Sequence, residues 1–215
     1  MILIPCYNTH KYINDLISQI RLYTNKDILV FDDGSSPSIK LDSEYDNIHI
    51  LRSELNKGKG KSLIDGFKYA KNKEYTHVIT MDGDLQHSPD DVDKFINAPS
   101  NFDFVLGSRQ FKKPMPLHRM LSNYITSFIV SIFVNAKIMD SQCGFRRYKI
   151  DSLNLTKIDN PGYLYETEIL LDNSLNSENC KNINIKTIYS DSISNINNIR
   201  DTFRFINVLV RHIIA

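Results

Sequence analysis

His77-Val78-Ile79-Thr80-Met81-Asp82-Gly83-Asp84-Leu85-Gln86-His87 is the stretch whose reading decides the fold. His77 to Met81 is a short β-rich run, and Asp82-Gly83-Asp84 brings it to an abrupt polar end. Ser88-Pro89-Asp90-Asp91 follows, an N-cap residue with proline at the first helical position. The chain therefore leaves a buried strand, makes an acidic turn and enters a helix. Upstream the same grammar repeats. Ile2-Leu3-Ile4 reads as a strand, followed by Tyr12 to Leu22 with helical spacing at Ile13, Leu16, Ile17 and Ile20. Ile28-Leu29-Val30-Phe31 is a second strand, stopped by Asp32-Asp33-Gly34-Ser35. Ile48 to Leu51 is a third, and a glycine-lysine loop, Lys57 to Lys61, leads from it into a helix through Leu63, Phe67 and Ala70. Phe102 to Leu106 supplies a fifth.

This alternation predicts an α/β fold, a mostly parallel sheet with helices on both faces. Right-handed crossovers then gather the loops that follow strands along one edge, where open α/β sheets bind ligands. Pro5 to Asn8, Asp32-Asp33, Asp82 to Asp84 and Gly107-Ser108-Arg109 are the segments expected there. The second half reads differently. Leu117 to Lys137, Tyr163 to Leu175 and Asp201 to Ile214 have helical patterns, with a strand expected at Ile183 to Ile188. Asp140 to Tyr148 is a glycine-containing segment, and the Asn/Ser-rich stretches 172–182 and 190–198 read as exposed loops. With no repeat and no break in composition, residues 1–215 are expected to form one domain.

The 215 residues carry 26 Lys and Arg against 25 Asp and Glu, a net charge of +1, which excludes a global polycation built for nucleic acid. Hydrophobic residues make up 41%, enough for a full core and too many for a disordered chain. Cys6, Cys143 and Cys180 are too scattered for a disulfide framework or zinc knuckle, and point to a reducing, cytoplasmic setting. Met1 to Ile4 lacks the basic start of a signal peptide and Pro5 interrupts it. Ile125 to Met139 is broken by Thr126, Ser127, Ser131 and Asn135, and falls short of the ~20 residues a membrane span needs.

On an extended strand, residues two apart project to the same side, so Asp82 and Asp84 could share one cation. Hard oxygen ligands suit Mg²⁺ or Mn²⁺, with Gln86 adding a carbonyl or His87 a nitrogen. Taken alone, the pair fits a solvated acidic turn equally well. Asp32-Asp33-Gly34-Ser35 is either an Asx turn or a carboxylate for the N–H edge of a nucleobase. Gly60-Lys61-Ser62 ends like a P-loop, but Leu55 stands where the first glycine is required, so that reading fails. Lys59 or Lys61 can still offer charge to a diphosphate, or simply open a basic helix. Arg109, Lys112, Lys113, His118, Arg119, Arg146 and Arg147 form a cationic series that is ordinary surface charge or, for Arg109 just past a strand, an anion site. Tyr124 to Val134, with Phe128, Ile129, Ile132 and Phe133, reads as core. A basic lead-in to an apolar helix also suits a lipid phosphate. No nucleophile–base pair or G-x-S-x-G elbow occurs, and His10, His49 and His212 read as structural or exposed.

In order, Ile4-Pro5-Cys6-Tyr7-Asn8, Phe31-Asp32-Asp33-Gly34-Ser35, Asn56-Lys57-Gly58-Lys59-Gly60, Met81 to His87, Gly107-Ser108-Arg109 and Cys143-Gly144-Phe145-Arg146 resemble family 2 glycosyltransferases of the GT-A fold. The D-x-D-L-Q-H block is similar to that of dolichol-phosphate mannose synthases and bacterial polyprenyl-phosphate glycosyltransferases, and the likeness runs from residue 2 to about 170. The resemblance implies a nucleotide-sugar-binding half (1–108) and an acceptor-binding half (109–215). Pro5, Tyr7, Asn8 and Asp33 would hold the nucleoside. Asp82, Asp84 and Gln86 would hold Mg²⁺ or Mn²⁺ and, with Gly58, Lys59, Gly83 and Arg200 or Arg204, the sugar diphosphate of a UDP- or GDP-sugar. Arg109, Arg119, Ser122 and Arg146 would face an acceptor phosphate, a polyprenyl phosphate by preference.

The same resemblance implies inversion. A phosphate acceptor needs no base, whereas a hydroxyl on a glycan or lipid would need Asp140, Glu166 or Glu168. Two departures stand out: Thr9 follows Asn8 where relatives commonly carry glutamate, and the membrane helices of many polyprenyl-phosphate relatives have no counterpart here. The apolar, arginine-bearing segment Phe203 to Ala215 would rest on the cytoplasmic face of a membrane or on a partner such as a second copy, or precede an anchor in a longer chain. A sugar-nucleotide nucleotidyltransferase is the rival enzyme, disfavoured because no glycine-rich loop follows the first strand. A silent nucleotide-sugar-binding protein is disfavoured by the intact Asp82, Asp84 and Gln86.

Overall fold

The computed structural model describes residues 1–43, 45–110, 117–155, 164–173, 175–188, 205–210 and 212. β1 (Ile2–Cys6) runs through the centre of a sheet, and α1 (His10–Arg21) returns the chain to β2 (Ile28–Asp33), which pairs with β1 in parallel. β3 (Ile48–Ser53) adds to the outer side of β2. α2 (Lys59–Asn72) then crosses back to β4 (His77–Thr80), parallel to β1 on its other side. A 3-10 turn, Pro89–Asp91, opens onto the short α3 (Val92–Ile96), as the Ser88-Pro89 signal predicts. β5 (Phe104–Arg109), α4 (Leu117–Val134), β6 (Arg146–Lys149), α5 (Tyr165–Asp172) and β7 (Cys180–Ile185) complete the named elements, and residues 205–210 are again helical.

The sheet has seven strands in the order β3-β2-β1-β4-β6-β5-β7. All neighbours are parallel except β6, which lies antiparallel between β4 and β5, with Arg146 opposite Thr80 on one side and Leu106 on the other. Both halves of the chain thus share one sheet. Strand periodicity sorts its side chains onto two faces. Leu3, Leu29 and Val78 pack with Leu63 and Phe67 of α2, Val130 of α4 and Ile169 of α5. Ile2, Ile4, Val30 and Ile79 pack on the other face against Ile13, Leu16, Ile17 and Ile20 of α1 and Phe95 of α3.

Three expectations need correction. β6 carries no apolar signature, because Arg146 and Arg147 are buried inside the protein. Arg147 donates to the carbonyls of Phe95 (3.1 Å), Ala98 (2.5 Å) and Pro99 (2.6 Å), capping the C-terminal end of α3. The Asn/Ser-rich stretch 172–182 is not all loop: Cys180 to Asn182 begin β7, paired with Phe104 to Leu106. Finally, α4 keeps Val130 and Val134 in the core but inverts the expected pattern at several positions. It buries Asn123 and Ser127 while Tyr124, Phe128 and Ile132 stand 66%, 57% and 65% exposed. Polar contacts explain the inversion: Ser127 Oγ accepts the amide of Ser141 (2.9 Å) and pairs with its hydroxyl (3.2 Å), docking α4 on the 140–144 segment. The three cysteines are free, and among the described residues no helix is long and apolar enough to cross a membrane.

Because the carbonyls of Phe95, Ala98 and Pro99 depend on one buried guanidinium, Arg147→Met should cost about 2–3 kcal/mol of stability. A lowered urea midpoint with an unchanged slope would report it.

Candidate active site

The parallel strands β1, β2 and β4 end along one edge, and Asp82 lies two residues beyond β4. Its carboxylate is the hub of an ion cluster. Lys59 Nζ, from the first residue of α2, stands 2.6 Å from Asp82 Oδ1 and 2.6 Å from Glu166 Oε1 of α5. On the other side His87 Nε2 lies 3.4 Å from Asp82 Oδ2, its ring packed against Phe145 at 5.5 Å. Burial opposes charge on Lys59, but Asp82 and Glu166 outweigh it and hold the ammonium above its ordinary pKa. For Asp82, burial is likewise overcome by Lys59 and His87, so its carboxyl stays well below the usual range.

Asp84 behaves in the opposite way. Burial and the neighbouring charge of Asp82 push its pKa up. The strand does not continue through it: β4 ends at Thr80, Gly83 and Asp84 form a turn, and Leu85 takes φ of 60°. Asp82 and Asp84 are therefore neighbours through a turn rather than through the two-residue repeat of a strand. The Gln86 amide donates to Asp84 Oδ1 (3.0 Å), and the Gln86 carbonyl accepts from Ile188 (2.9 Å), which pins the turn. Gly144 closes the cluster. A Cβ there would meet Asp82 Oδ2 and Lys59 Nζ at 2.8 Å, so only glycine lets the backbone approach this closely. Its carbonyl is fixed by Thr80 Oγ1 at 2.7 Å.

The other candidates fall into place around this hub. Tyr7 is 51% exposed just past β1. Asn8 ties that turn to the next one, its amide donating to Ser35 Oγ (2.9 Å) and its Oδ1 accepting from Ser36 (3.0 Å). Asp32 accepts the amides of Ser35 and Ile39 and pairs with Arg52. Asp33, expected on the nucleoside, is only 3% exposed and accepts the amides of Lys57 (2.9 Å) and Gly58 (2.8 Å). Its carboxylate is spent on holding the glycine-lysine loop. Gly34, at φ of 74°, lets the two loops touch, since a Cβ would come within 2.7 Å of the Leu55–Asn56 backbone.

Arg109 forms a two-pronged pair with the fully buried Asp140, Nε to Oδ2 at 2.6 Å and Nη2 to Oδ1 at 3.0 Å. Asp140 is thereby removed as a base: it orients Arg109. Arg109 lines a cleft of about 910 Å³ that Tyr124, Phe128, Ile132 and Met139 also line. Arg146 is a correction. It is wholly buried, donating to the carbonyls of Cys143 (2.6 Å), Ser141 (2.7 Å) and Glu166 (2.7 Å), so it supports the site and faces no acceptor. Lys59, expected on a diphosphate, is held by two carboxylates. Glu168 is buried beside Glu166 on α5, and Ser122 is exposed on α4. Arg119 lies in α4 with its side chain outside the description, and Lys112, Lys113, Arg200 and Arg204 lie outside the described residues. Gly144 stands in one of the motifs read from the sequence without a role assigned to it, and Thr80 was missed because a threonine inside a strand carries no signal of a partner 64 residues away. Among the described residues no group of three or more His, Cys, Asp or Glu converges as a ready-made metal cage.

A profile of the family described as "Glycosyl transferase family 2" matches residues 1–155. The chain belongs to that family. A UDP-N-acetylglucosamine–dolichyl-phosphate N-acetylglucosaminyltransferase of Methanococcus voltae is 30% identical, over 88% of this chain and 86% of the relative. An undecaprenyl-phosphate mannosyltransferase of Micrococcus luteus is 26% identical over 78% and 74%. In fold, the chain is similar to glucosyl-3-phosphoglycerate synthase of Mycobacterium tuberculosis, solved with Mn²⁺, UDP and glucosyl-3-phosphoglycerate. The TM-score is 0.70 and the identity 14%, over 98% of this chain and 78% of the other. The fold is therefore GT-A, and the protein is a family 2 glycosyltransferase. The family profile covers the ion cluster up to Gly144 and both flanks of the Arg109–Asp140 pair.

Gly144→Ala tests the cluster directly. Overpacking should cost about 1–3 kcal/mol of stability. Sugar transfer should fall at least tenfold, beyond what the fraction of unfolded protein explains, in a transfer assay run alongside thermal unfolding.

Proposed function

We propose that this family 2 glycosyltransferase transfers a sugar, with inversion, from a UDP- or GDP-sugar to a polyprenyl phosphate, using Mg²⁺ or Mn²⁺. The observation that carries the reading is a juxtaposition at one sheet edge. The carboxylates Asp82 and Asp84 follow β4, and Arg109, at the end of β5, lines a cleft together with the apolar side chains of Tyr124, Phe128, Ile132 and Met139. A lipid phosphate needs a cation and a hydrocarbon surface together, and the lining of this cleft supplies both. The names of the Methanococcus and Micrococcus relatives, both acting on lipid phosphates, support the acceptor class.

The residues present fit a divalent cation. Mg²⁺ characteristically takes one or two carboxylates and completes its shell with water and substrate phosphates. Asp82 and Asp84 offer that pair, brought together by the turn at Gly83. Asp82, Asp84 and Gln86 would hold the ion, which when bound neutralises charge on the departing nucleoside diphosphate. Pro5, Tyr7 and Asn8 would bind the nucleoside, with Asp33 shaping the loop that carries Gly58. Gly83 packs the turn against Cys6 and Ile4 of β1, so that any contact with the diphosphate is through its backbone, and Arg200 is assigned to the diphosphate by family resemblance. Arg109, held flat by Asp140, anchors the acceptor phosphate, with Arg119 and Ser122 further along α4.

An acceptor phosphate oxygen then forms a bond to the anomeric carbon as the bond to the diphosphate oxygen breaks on the opposite face. The phosphate is already anionic, so no proton has to be removed. Glu166 and Glu168 are not required as bases, and Glu166 serves by holding Lys59. The exposed face of α4 would lie on the cytoplasmic surface of the membrane, with the apolar chain of the acceptor along it.

Asp84→Asn should abolish both sugar transfer and donor hydrolysis while circular dichroism stays unchanged. Chelation of the wild-type protein should do the same reversibly, with Mn²⁺ restoring turnover. Turnover undiminished in the Asp84 variant would refute the metal assignment. Transfer to polyprenol as fast as to polyprenyl phosphate would refute the acceptor. Replacing Phe128 and Ile132 together by serine should reduce cosedimentation with anionic vesicles severalfold. The thermal shift induced by nucleotide should be unaffected.

A further inference from the structure

Lys59 is an unusual way to begin a helix. The N-terminal end of α2 carries the positive pole of the helix dipole, and no acidic residue occupies its first turn. A lysine there does not serve the helix. Its ammonium reaches instead across the sheet edge to sit between Asp82 and Glu166, 2.6 Å from each. Glu166 is 3% exposed, and its Oε2 has no hydrogen-bond partner among the described residues, so Lys59 is the cation that makes this carboxylate tolerable. The glycine backbone at 144 packs over the pair, and His87 stands at the remaining oxygen of Asp82. Asp82 therefore meets a positive or potentially positive group on both sides. The amide of Gln86 meets one oxygen of Asp84, and no side-chain cation pairs with it among the described residues.

We infer that Lys59 is an internal counter-ion that holds the place of the divalent cation at Asp82 until a nucleoside diphosphate enters. An ion arriving through Asp84 meets the like charge of Lys59, which lies 2.6 Å from the neighbouring Asp82 carboxylate. A diphosphate brings the negative charge that lets both cations stay: the ammonium turns from Asp82 to a phosphate oxygen, and the metal gains the freed carboxylate. Metal and donor then bind cooperatively, and linkage makes the coupling reciprocal. The two roles open to Lys59, carboxylate partner and diphosphate ligand, become successive states of one side chain. The inference rests on the reading of Asp82 and Asp84 as metal ligands.

The test titrates Mn²⁺ alone into metal-free protein, followed by the electron paramagnetic resonance of free Mn²⁺, and repeats it with saturating UDP and with GDP. Wild-type protein should bind Mn²⁺ weakly, and at least tenfold more tightly with the matching nucleotide. Lys59→Met should bind Mn²⁺ alone at least tenfold more tightly than wild type, and nucleotide should add little. Lys59→Gln, whose amide can still hydrogen-bond both carboxylates, should do the same and serves if the Met variant does not fold. Lys59→Arg, which keeps the charge, should resemble wild type. Mn²⁺ binding to Lys59→Gln no tighter than to wild type would overturn the inference while leaving the metal site standing. Failure of wild type and every variant to bind Mn²⁺, with or without nucleotide, would remove the metal site and the inference together.

Discussion

The contact between the Lys59 ammonium and the carboxylates of Asp82 and Glu166 joins three segments that lie far apart in the chain. One is the first turn of α2, one the loop after β4, and one the first turn of α5. The carboxylates of Asp82 and Glu166 repel one another, and the ammonium placed between them offsets that repulsion. The surroundings are arranged to keep that triad in place. Arg146 holds the carbonyl of Glu166 from beneath and, with the same guanidinium, the carbonyls of Ser141 and Cys143. Gly144 can then lie against Asp82 without a side chain in the way. A change in any of these groups is felt at the carboxylate pair that faces the ligand edge.

Along that edge the charge is separated. Carboxylates concentrate at the end of β4, whereas the cation at the end of β5, Arg109, is fixed by Asp140 at the mouth of the cleft. A net charge of +1 conceals this separation. It suits a reaction in which one phosphate group leaves and another attacks, because each needs its own stabilising partner. α4 forms the outer wall of the cleft. Asn123 and Ser127 face the protein alongside Val130 and Val134, whereas Tyr124, Phe128 and Ile132 face out, and the Ser127–Ser141 contacts help hold that orientation.

Much of the site was legible along the chain. The acidic turn after β4, the loop after β1, the glycine-lysine loop and Arg109 all follow from strand–helix alternation, which delivers loop residues to one edge whatever their identity. The motifs resembling family 2 glycosyltransferases sharpened that into named roles. Illegible were the partners. Asp33 looked like a ligand-facing carboxylate, yet it serves two backbone amides. Asp140 looked like a base and is the clamp on Arg109. Arg146 looked like surface charge and is the largest of the fully buried side chains. In each case the charge was visible, but its counter-charge or carbonyl lay elsewhere in the chain, from 3 residues (Arg146 to Cys143) to 31 (Arg109 to Asp140) away.

By itself the amino-acid sequence determined the α/β class, the parallel strands β1, β2, β3 and β4, the edge at which ligands meet the protein, and family membership, because periodicity and short motifs are local properties. Only the tertiary structure decided that β6 is a strand, that α4 faces outward, and that Lys59 belongs to Asp82 and Glu166. Those outcomes depend on which buried polar groups find partners across long sequence separations. A charged residue declares its need for a partner in the sequence, but packing alone decides which partner satisfies it.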